Sequence, residues 1–444
     1  MESLLYIALL ALSISNGAVA QGGAAAKNYA GAPGYPTAAD WSSLNSSTNG
    51  QLIQYIPLYS VCYGSRYNAT ACAGFVKDSL TFKLNSIQDP ALIETPYWAG
   101  TACPLPRIPP SGALPDSDCN QGNYPDYVLA AKNKEDIASG IKFAAKHDIR
   151  VIIKNTGHDF LGRSVGYGSF SIWTHNLDGV QWADDWHPTT NITSLRRRQT
   201  TKQAAITYGA GMLWGQVIEE AKKHGHIVIS GADPSVGAAG GWPQGGGHGP
   251  HSNQYGLGAD NMLEAEVVTP TGDFLIANEN SNPDLFWALR GGGGGTYGIV
   301  TRMTMKTYPD PGSSYALIRI APKAIGNYSH YLDALAYYFA ITSQLTDFGL
   351  SGYPFLTHGG YTANLGAPGK TAKQLETFLG PLRTKLRSMG DVNIIARPYD
   401  VKNGTKSTCK KRFHTRAQPA VPDITNINIF NATHNIAIGP DYSF

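Results

Sequence analysis

The sequence predicts an α+β fold in which strands and amphipathic helices alternate and ligand loops follow the strand ends. Three observations carry this prediction. Short apolar runs at residues 127–131, 151–153 and 227–229 are typical of buried strands. Asn133 can cap a helix, and apolar residues recur at helical spacing after it. Residues 213–223 show a second helical pattern, so strands and helices follow one another along the chain.

Length and composition limit the function classes. At 444 residues the chain is long enough for two domains, each with a core of its own. The formal net charge of +3 gives no indication of a nucleic-acid partner or a membrane surface. The 50 glycines follow no repeating period, which argues against a repeat protein and predicts many tight turns. We expect a monomer without a membrane-spanning helix.

The N-terminus has the features of a secretory signal. Residues 4–14 form an apolar run too short to span a bilayer, and residues 18–20 offer small side chains for cleavage. The usual positive charge is missing, because Glu2 is the charged residue at this end. We expect residues 1–20 to be removed and the protein to enter the secretory pathway. Six Asn-x-Ser/Thr sequons fit secretion as glycosylation sites: Asn45, Asn68, Asn191, Asn327, Asn403 and Asn431.

The cysteines indicate disulfides, which form in an oxidising compartment. The first four can pair in three ways, and proximity along the chain favours Cys62 with Cys72 and Cys103 with Cys119. Cys409 is left over. No Cys-x-x-Cys motif occurs, and we predict no metal site.

The most informative loop follows the apolar run at residues 151–153. Gly157 and Gly162 would let the backbone approach a ligand closely, and successive N–H groups at a strand end suit a phosphate or pyrophosphate. His158 stands between these glycines. Taken alone, Gly-His-Asp fits a plain polar loop with a hydrogen-bonded histidine equally well.

Two further stretches are rich in glycine. Residues 230–249 also contain Val236, Trp242 and Pro243, which a flexible linker would lack. We therefore expect a rigid loop shaped to a flat ligand, with no helix or strand. Residues 284–301 predict a short helix, a glycine turn and a strand. Their glycines match Gly-x-Gly-x-x-Gly by letter, but a strand follows where the Rossmann motif requires a helix.

Together the three stretches resemble the vanillyl-alcohol-oxidase type flavoproteins, and among them the fungal berberine-bridge-enzyme-like oxidases. The resemblance covers about residues 59–308. It implies a PCMH-type FAD-binding domain at residues 123–309, preceded by a disulfide-containing segment at residues 21–122. It also implies a partial substrate domain at residues 310–444, built as an antiparallel sheet backed by helices.

The resemblance assigns cofactor residues as well. It implies that His158 carries FAD through the 8α-methyl group of the flavin. Many relatives add a second bond through a cysteine at the place of Asp233, so a single histidyl bond is expected here. The pyrophosphate would be lined by Asn155, Thr156, Gly157, Asp159, Gly162, Arg163 and Ser164. The flavin would lie along Gly237, Gly240, Gly241, Gly246, Gly247 and His248, with backbone contacts from Ile299 and Val300.

The implied activity is that of an FAD-linked oxidoreductase in the secretory pathway. Hydride would pass from an alcohol, an amine or a secondary metabolite, for example an ergot alkaloid precursor, to FAD, and O₂ would reoxidise the flavin. Alternatives are a secreted carbohydrate or alcohol oxidase, a flavin-binding protein without turnover, and a noncatalytic secreted glycoprotein. The catalytic residues are not identified: His248, His251 and Tyr361 are candidates, but structural or core roles fit each of them better.

The C-terminal third predicts a helix at residues 331–344, with Leu332, Leu335, Ala336 and Phe339 facing inward. A second helix is predicted at residues 372–389 and a strand at residues 392–396. Berberine-bridge-like oxidases return a closing segment with a Tyr-x-Asn type motif, which this sequence does not contain after residue 397. This resemblance leads us to expect a truncated chain that binds FAD weakly and is less stable and less active than a full-length relative.

Overall fold

The computed structural model describes residues 27–77, 86–100, 102–189, 202–324 and 328–399. It confirms the predicted α+β class, because three sheets are each packed against helices. The predicted signal peptide and Cys409 lie outside the described residues, as do the sequons at Asn191, Asn327, Asn403 and Asn431. Within the described ranges, none of the helices combines the length and apolarity needed to cross a membrane.

The first sheet has the strand order β1-β2-β4-β3, in which β1 is antiparallel and the other pairs are parallel. Its strands are β1 (Leu52–Gln54), β2 (Tyr127–Ala130), β3 (Arg150–Lys154) and β4 (Ser169–Trp173). The helices of this region are α1 (Ala38–Ser47), α2 (Ala69–Lys77) and α3 (Lys134–Lys146). Asn133 caps α3 as predicted, since its Oδ1 accepts a hydrogen bond from the Asp136 N–H at 2.8 Å.

The second sheet is antiparallel, with the order β5-β6-β10-β8-β9 and β7 paired to the end of β10. Its strands are β5 (Val180–Ala183), β6 (Ala205–Gly209), β7 (His226–Val228), β8 (Met262–Val268), β9 (Phe274–Asn278) and β10 (Ile299–Pro309). The helices are α4 (Trp214–Lys223), α5 (Gly241–Gln244), α6 (Ser252–Tyr255), α7 (Gly258–Asn261) and α8 (Pro283–Leu289). One hydrophobic core joins this sheet to the first and includes Ile137, Phe170 and Trp214.

The third sheet is also antiparallel, with the order β12-β13-β11-β14 and a hydrophobic core of its own. Its strands are β11 (Ser313–Pro322), β12 (Ser351–Thr357), β13 (Gly360–Pro368) and β14 (Val392–Tyr399). Helices α9 (Ser329–Ala340), α10 (Thr342–Phe348) and α11 (Ala372–Arg387) accompany it. This arrangement confirms the predicted antiparallel sheet backed by helices.

The predicted inward face of the first of these helices is wrong. Leu332 and Phe339 are 56% and 50% exposed, and Ala336 is exposed as well, so of the four predicted residues Leu335 alone is buried. The buried face consists of Tyr331, Ala334, Leu335 and Tyr338. The tyrosines bury their rings because they can stack with other aromatic rings and hydrogen-bond at their hydroxyl ends, which apolar periodicity does not reveal.

Both predicted disulfides are present, Cys62 with Cys72 and Cys103 with Cys119. Three of the four cysteines are buried in a small hydrophobic cluster outside the two large cores. The bridges therefore stabilise an irregular region that has little regular secondary structure. Two sequons are described. Asn45 Oδ1 accepts a hydrogen bond from the Leu52 N–H at 3.0 Å, and Asn68 is exposed at the start of α2.

Candidate functional site

The loop after β3 is held in place by the segment at residues 92–98. The N–H of Glu94 donates to the carbonyl of Gly157 at 2.9 Å. Gly157 has φ +86°, and a Cβ there would lie 2.9 Å from the carbonyl oxygen of Leu92. Gly162 has φ +73°, and its Cβ would lie 2.6 Å from the Trp98 ring. Contacts within the protein therefore already require glycine at both positions.

The backbone of this loop presents hydrogen-bond donors. Among the described residues, no protein acceptor is found for the N–H groups of Thr156, Gly157 and His158. The side chains of Asp159 and Arg163 face each other, with Arg163 Nη2 2.6 Å from Asp159 Oδ1. This contact raises the pKa of the Arg163 guanidinium. The loop thus presents unused N–H groups at a strand end, which suit a diphosphate, while the Arg163 cation is already paired with Asp159.

His158 joins this loop to the second glycine stretch. Its side chain is 11% exposed, and Nδ1 contacts the carboxylate of Glu94. Nε2 lies 2.8 Å from Ser235 Oγ. Ser235 in turn donates to Asp233 Oδ1 from both Oγ, at 2.6 Å, and its backbone N–H, at 2.9 Å. Sequence reasoning missed Glu94, whose contact with His158 depends on the tertiary fold, and passed over Ser235 inside the glycine stretch.

Asn155 makes a second contact between the two stretches. Its Nδ2 donates to Thr174 Oγ1 at 3.0 Å and to the carbonyl of Ala210 at 2.6 Å. Its Oδ1 is buried and accepts no hydrogen bond from the described residues. A Cβ on Gly237 would lie 1.9 Å from this oxygen, whereas one on Gly240 would lie 3.4 Å from Asn155 Cβ. Asn155 therefore offers an unused acceptor beside a backbone that lacks side chains.

The expectation that residues 230–249 contain no helix is wrong, because one helical turn forms there. Gly241–Gln244 form α5, and the side-chain amide of Gln244 donates to the carbonyl of Ala239 at 2.9 Å. The carbonyl of Gln244 accepts from the N–H groups of Gly291 and Gly293, at 3.0 and 2.9 Å. A single turn forms here because these bonds fix its ends, so the second stretch is also joined to the third.

The end of the second stretch reaches the third sheet. Gly246 and Gly247 have φ of +108° and +73°, and His248 follows them with an exposed side chain. His248 Nδ1 lies 2.8 Å from Tyr353 Oη, and Tyr353 Oη lies 3.2 Å from the carbonyl oxygen of His248. Burial raises the pKa of the Tyr353 hydroxyl above its ordinary value. Tyr353 lies on β12 and was not singled out by the sequence.

The remaining sequence candidates lie elsewhere in the fold. Ile299 and Val300 are buried at the start of β10, paired with Val268 and Val267 of β8. Tyr361 is 4% exposed in the third core, where its hydroxyl donates to Tyr338 Oη at 3.2 Å, so its core role holds. Ser164 is buried.

His251 is half-buried, and burial lowers the pKa of its imidazole. In the described ranges, no group of three or more His, Cys, Asp or Glu side chains is placed to hold a metal ion.

These features fit FAD. Unused backbone donors at the end of β3 suit a pyrophosphate, and the second glycine stretch has open space at Gly241, where a Cβ would meet no atom within 4 Å. The orphaned Asn155 Oδ1 can accept a hydrogen bond from a ligand N–H or O–H. His158 supplies a ring nitrogen beside this space.

Comparison with known proteins gives the same indication. A sequence profile described as FAD binding domain matches residues 125–278. The chain is 34% identical over 373 residues to the FAD-linked oxidoreductase ZEB1 of Gibberella zeae, covering 83% of this chain and 62% of that protein. The chain therefore spans about three fifths of this relative's length.

Two solved structures are similar, both VAO-type flavoproteins of Myceliophthora thermophila C1. The structure of MtVAO615 at pH 5.0 has a TM-score of 0.74 and 32% identity, covering 84% of this chain and 65% of that one. MtVAO713 has a TM-score of 0.74 and 30% identity, covering 84% and 67%. The fold, the three joined glycine stretches and these matches together show that the chain belongs to the VAO-type flavoprotein family and contains its FAD binding domain.

Proposed function

We propose that this protein is an FAD-dependent oxidoreductase that takes a hydride from an alcohol, an amine or a secondary metabolite. The observation that carries the proposal is the joining of three glycine stretches. His158 links the first to the second through Ser235, Gln244 links the second to the third, and His248 lies at the far end of the second. FAD accepts a hydride at its ring system when bound. The Gibberella zeae relative is named as an FAD-linked oxidoreductase, which supports the same reaction class.

FAD is held covalently through His158 in this proposal. The ring of His158 is nearly buried between Glu94 and Ser235, so it is fixed at the edge of the flavin space. The N–H groups of Thr156 and Gly157 bind the pyrophosphate. Because Asp233 carries no sulfur, the attachment is a single histidyl bond.

The pair of His248 and Tyr353 moves the substrate proton. The Tyr353 hydroxyl has one proton, and donating it to the carbonyl of His248 satisfies the 3.2 Å contact. The 2.8 Å contact then requires that His248 Nδ1–H donates to Tyr353 Oη. This arrangement leaves a lone pair on His248 Nε2, which acts as the general base while the substrate loses its hydride.

We propose that the protein passes through the secretory pathway. The signal-like N-terminus and the sequons support passage through the secretory pathway, and the two disulfides fit an oxidising compartment. There the protein would be a glycosylated monomer, and bound FAD would supply redox chemistry with dioxygen as the final electron acceptor.

The test is an absorption spectrum of the purified protein, followed by acid precipitation and peptide mass analysis. We expect a yellow protein whose flavin stays with the precipitate and appears on the peptide that contains His158. A His158→Ala variant is expected to release all of its flavin in acid. A substrate panel under anaerobic conditions then identifies compounds that bleach the flavin. Wild-type protein that binds no flavin would contradict the proposal.

A further inference from the structure

Both ring nitrogens of His158 face a side chain that accepts hydrogen bonds. Nδ1 faces the carboxylate of Glu94, and Nε2 lies 2.8 Å from Ser235 Oγ. The side chains of His158 and Glu94 are 11% and 14% exposed, so water competes little for these contacts. The ring therefore has one orientation and a different partner on each side.

The hydrogen-bond chain determines where the protons are. A serine hydroxyl has a single proton, and Ser235 donates it to Asp233 Oδ1 at 2.6 Å. Ser235 Oγ must then accept from His158, so Nε2 carries a proton. The same Asp233 oxygen accepts the Ser235 backbone N–H at 2.9 Å, which fixes the hydroxyl in this direction. Nδ1 is left in contact with the Glu94 carboxylate.

We propose that Glu94, Ser235 and Asp233 are positioning residues that prepare His158 Nδ1 for covalent attachment of FAD. Glu94 removes the proton from Nδ1, and the Ser235–Asp233 pair keeps the proton on Nε2 and holds the ring still. The inference rests on the covalent attachment proposed above and assigns the side chains that bring it about. Asp233 thereby gains a role at a position where the resemblance predicted only a missing cysteine.

Attachment forms a bond between His158 Nδ1 and the flavin 8α carbon and breaks one C–H bond of that methyl group. The imidazole and the methyl group each lose a proton. The electron pair of the broken C–H bond reduces the flavin, which takes up both protons. Dioxygen then accepts two electrons and two protons and becomes hydrogen peroxide.

The experiment measures attachment separately from binding. Apoprotein is mixed with FAD, total bound flavin is measured by absorbance, and samples are acid-precipitated over time to follow the covalent fraction. We expect Glu94→Gln, Ser235→Ala and Asp233→Asn to bind FAD but to attach it at least tenfold more slowly. Ser235→Thr keeps the hydroxyl and is expected to attach FAD at a rate near that of the wild type. Glu279→Gln, a carboxylate-to-amide change at an exposed position, serves as the control.

Rescue by a conservative variant adds a readout that a purely structural role would not move. Glu94→Asp keeps a carboxylate and is expected to attach FAD faster than Glu94→Gln. Rates are expressed per bound flavin, so a variant that folds poorly still yields a rate. Wild-type protein that releases all of its flavin in acid would overturn both the attachment and this inference. Attachment by all three variants at the wild-type rate would overturn this inference alone.

Discussion

Lys154, at the end of β3, is fully buried and donates from Nζ to the carbonyl oxygens of Ser86 and Asp89, at 2.7 and 2.9 Å. Burial lowers the pKa of its ammonium to about 7, against the opposing effect of the Asp89 carboxylate. An unfolded lysine keeps its proton up to about pH 10.4. Between these values the unfolded chain binds more protons than the folded one, so the free energy of unfolding rises with pH.

We therefore predict that this rise disappears in Lys154→Met. Between pH 7 and pH 9 the free energy of unfolding of the wild type should rise by about 2 kcal/mol relative to that of the variant, because one proton is released on folding. Urea unfolding at several pH values measures the difference in slope. Lys323→Met, which alters an exposed lysine, should keep the wild-type slope. Parallel pH dependences for wild type and Lys154→Met would show that Lys154 stays charged in the fold.

The effect of adding a methyl group at Gly237 is a second prediction that concerns a single residue. In Gly237→Ala the new Cβ would lie 1.9 Å from Asn155 Oδ1, so the first and second glycine stretches must move apart. The free energy of unfolding of the apoprotein should therefore fall by about 1–3 kcal/mol. Gly241→Ala meets no atom within 4 Å and should leave apoprotein stability unchanged. If the flavin lies along Gly241, this variant should still bind less FAD. Thermal unfolding and flavin content of both proteins distinguish these effects, and normal FAD content in Gly241→Ala would remove Gly241 from the flavin contacts.

At the scale of elements, α9 allows a matched comparison of its two faces. Leu335 is 7% exposed in the third core and Leu332 is 56% exposed, one turn away on the same helix. We predict that Leu335→Ala destabilises the third sheet and its helices by about 2–4 kcal/mol, whereas Leu332→Ala costs less than about 1 kcal/mol. Chemical denaturation of both variants measures this. Equal losses of unfolding free energy in the two variants would show that Leu332 is buried, as the sequence predicted.

Elements with local signals could be predicted from the sequence. The Asn133 cap, the helix at Trp214–Lys223 and the short helix at Pro283–Leu289 all depend on residues a few positions apart. The face of α9 could not be predicted, because the burial of Tyr338 depends on Tyr361 across the core. In the site, His158 and the glycine stretches were visible as motifs. Glu94 and Tyr353 were not, since their partners lie far away in the sequence.

The whole molecule has separate hydrophobic cores for its first two sheets and for its third sheet. Within residues 27–399, as far as they are described, the chain passes from the first core to the second between β10 and β11. Across this boundary His248 and Tyr353 form a polar contact that spans 105 residues of sequence. This contact couples the predicted flavin surface to the predicted substrate sheet.

We predict that Tyr353→Phe slows flavin reduction by substrate about tenfold and leaves FAD content unchanged. The variant loses the hydroxyl that accepts from His248 Nδ1 and donates to the His248 carbonyl, so the imidazole is no longer fixed in the tautomer that acts as a base. Because the contact is partly exposed, its loss should lower stability by only about 1 kcal/mol. Anaerobic stopped-flow reduction across pH measures the rate, with Tyr29→Phe as an exposed tyrosine control. A reduction rate and pH profile equal to those of the wild type would show that the pair connects the two sheets without serving the chemistry.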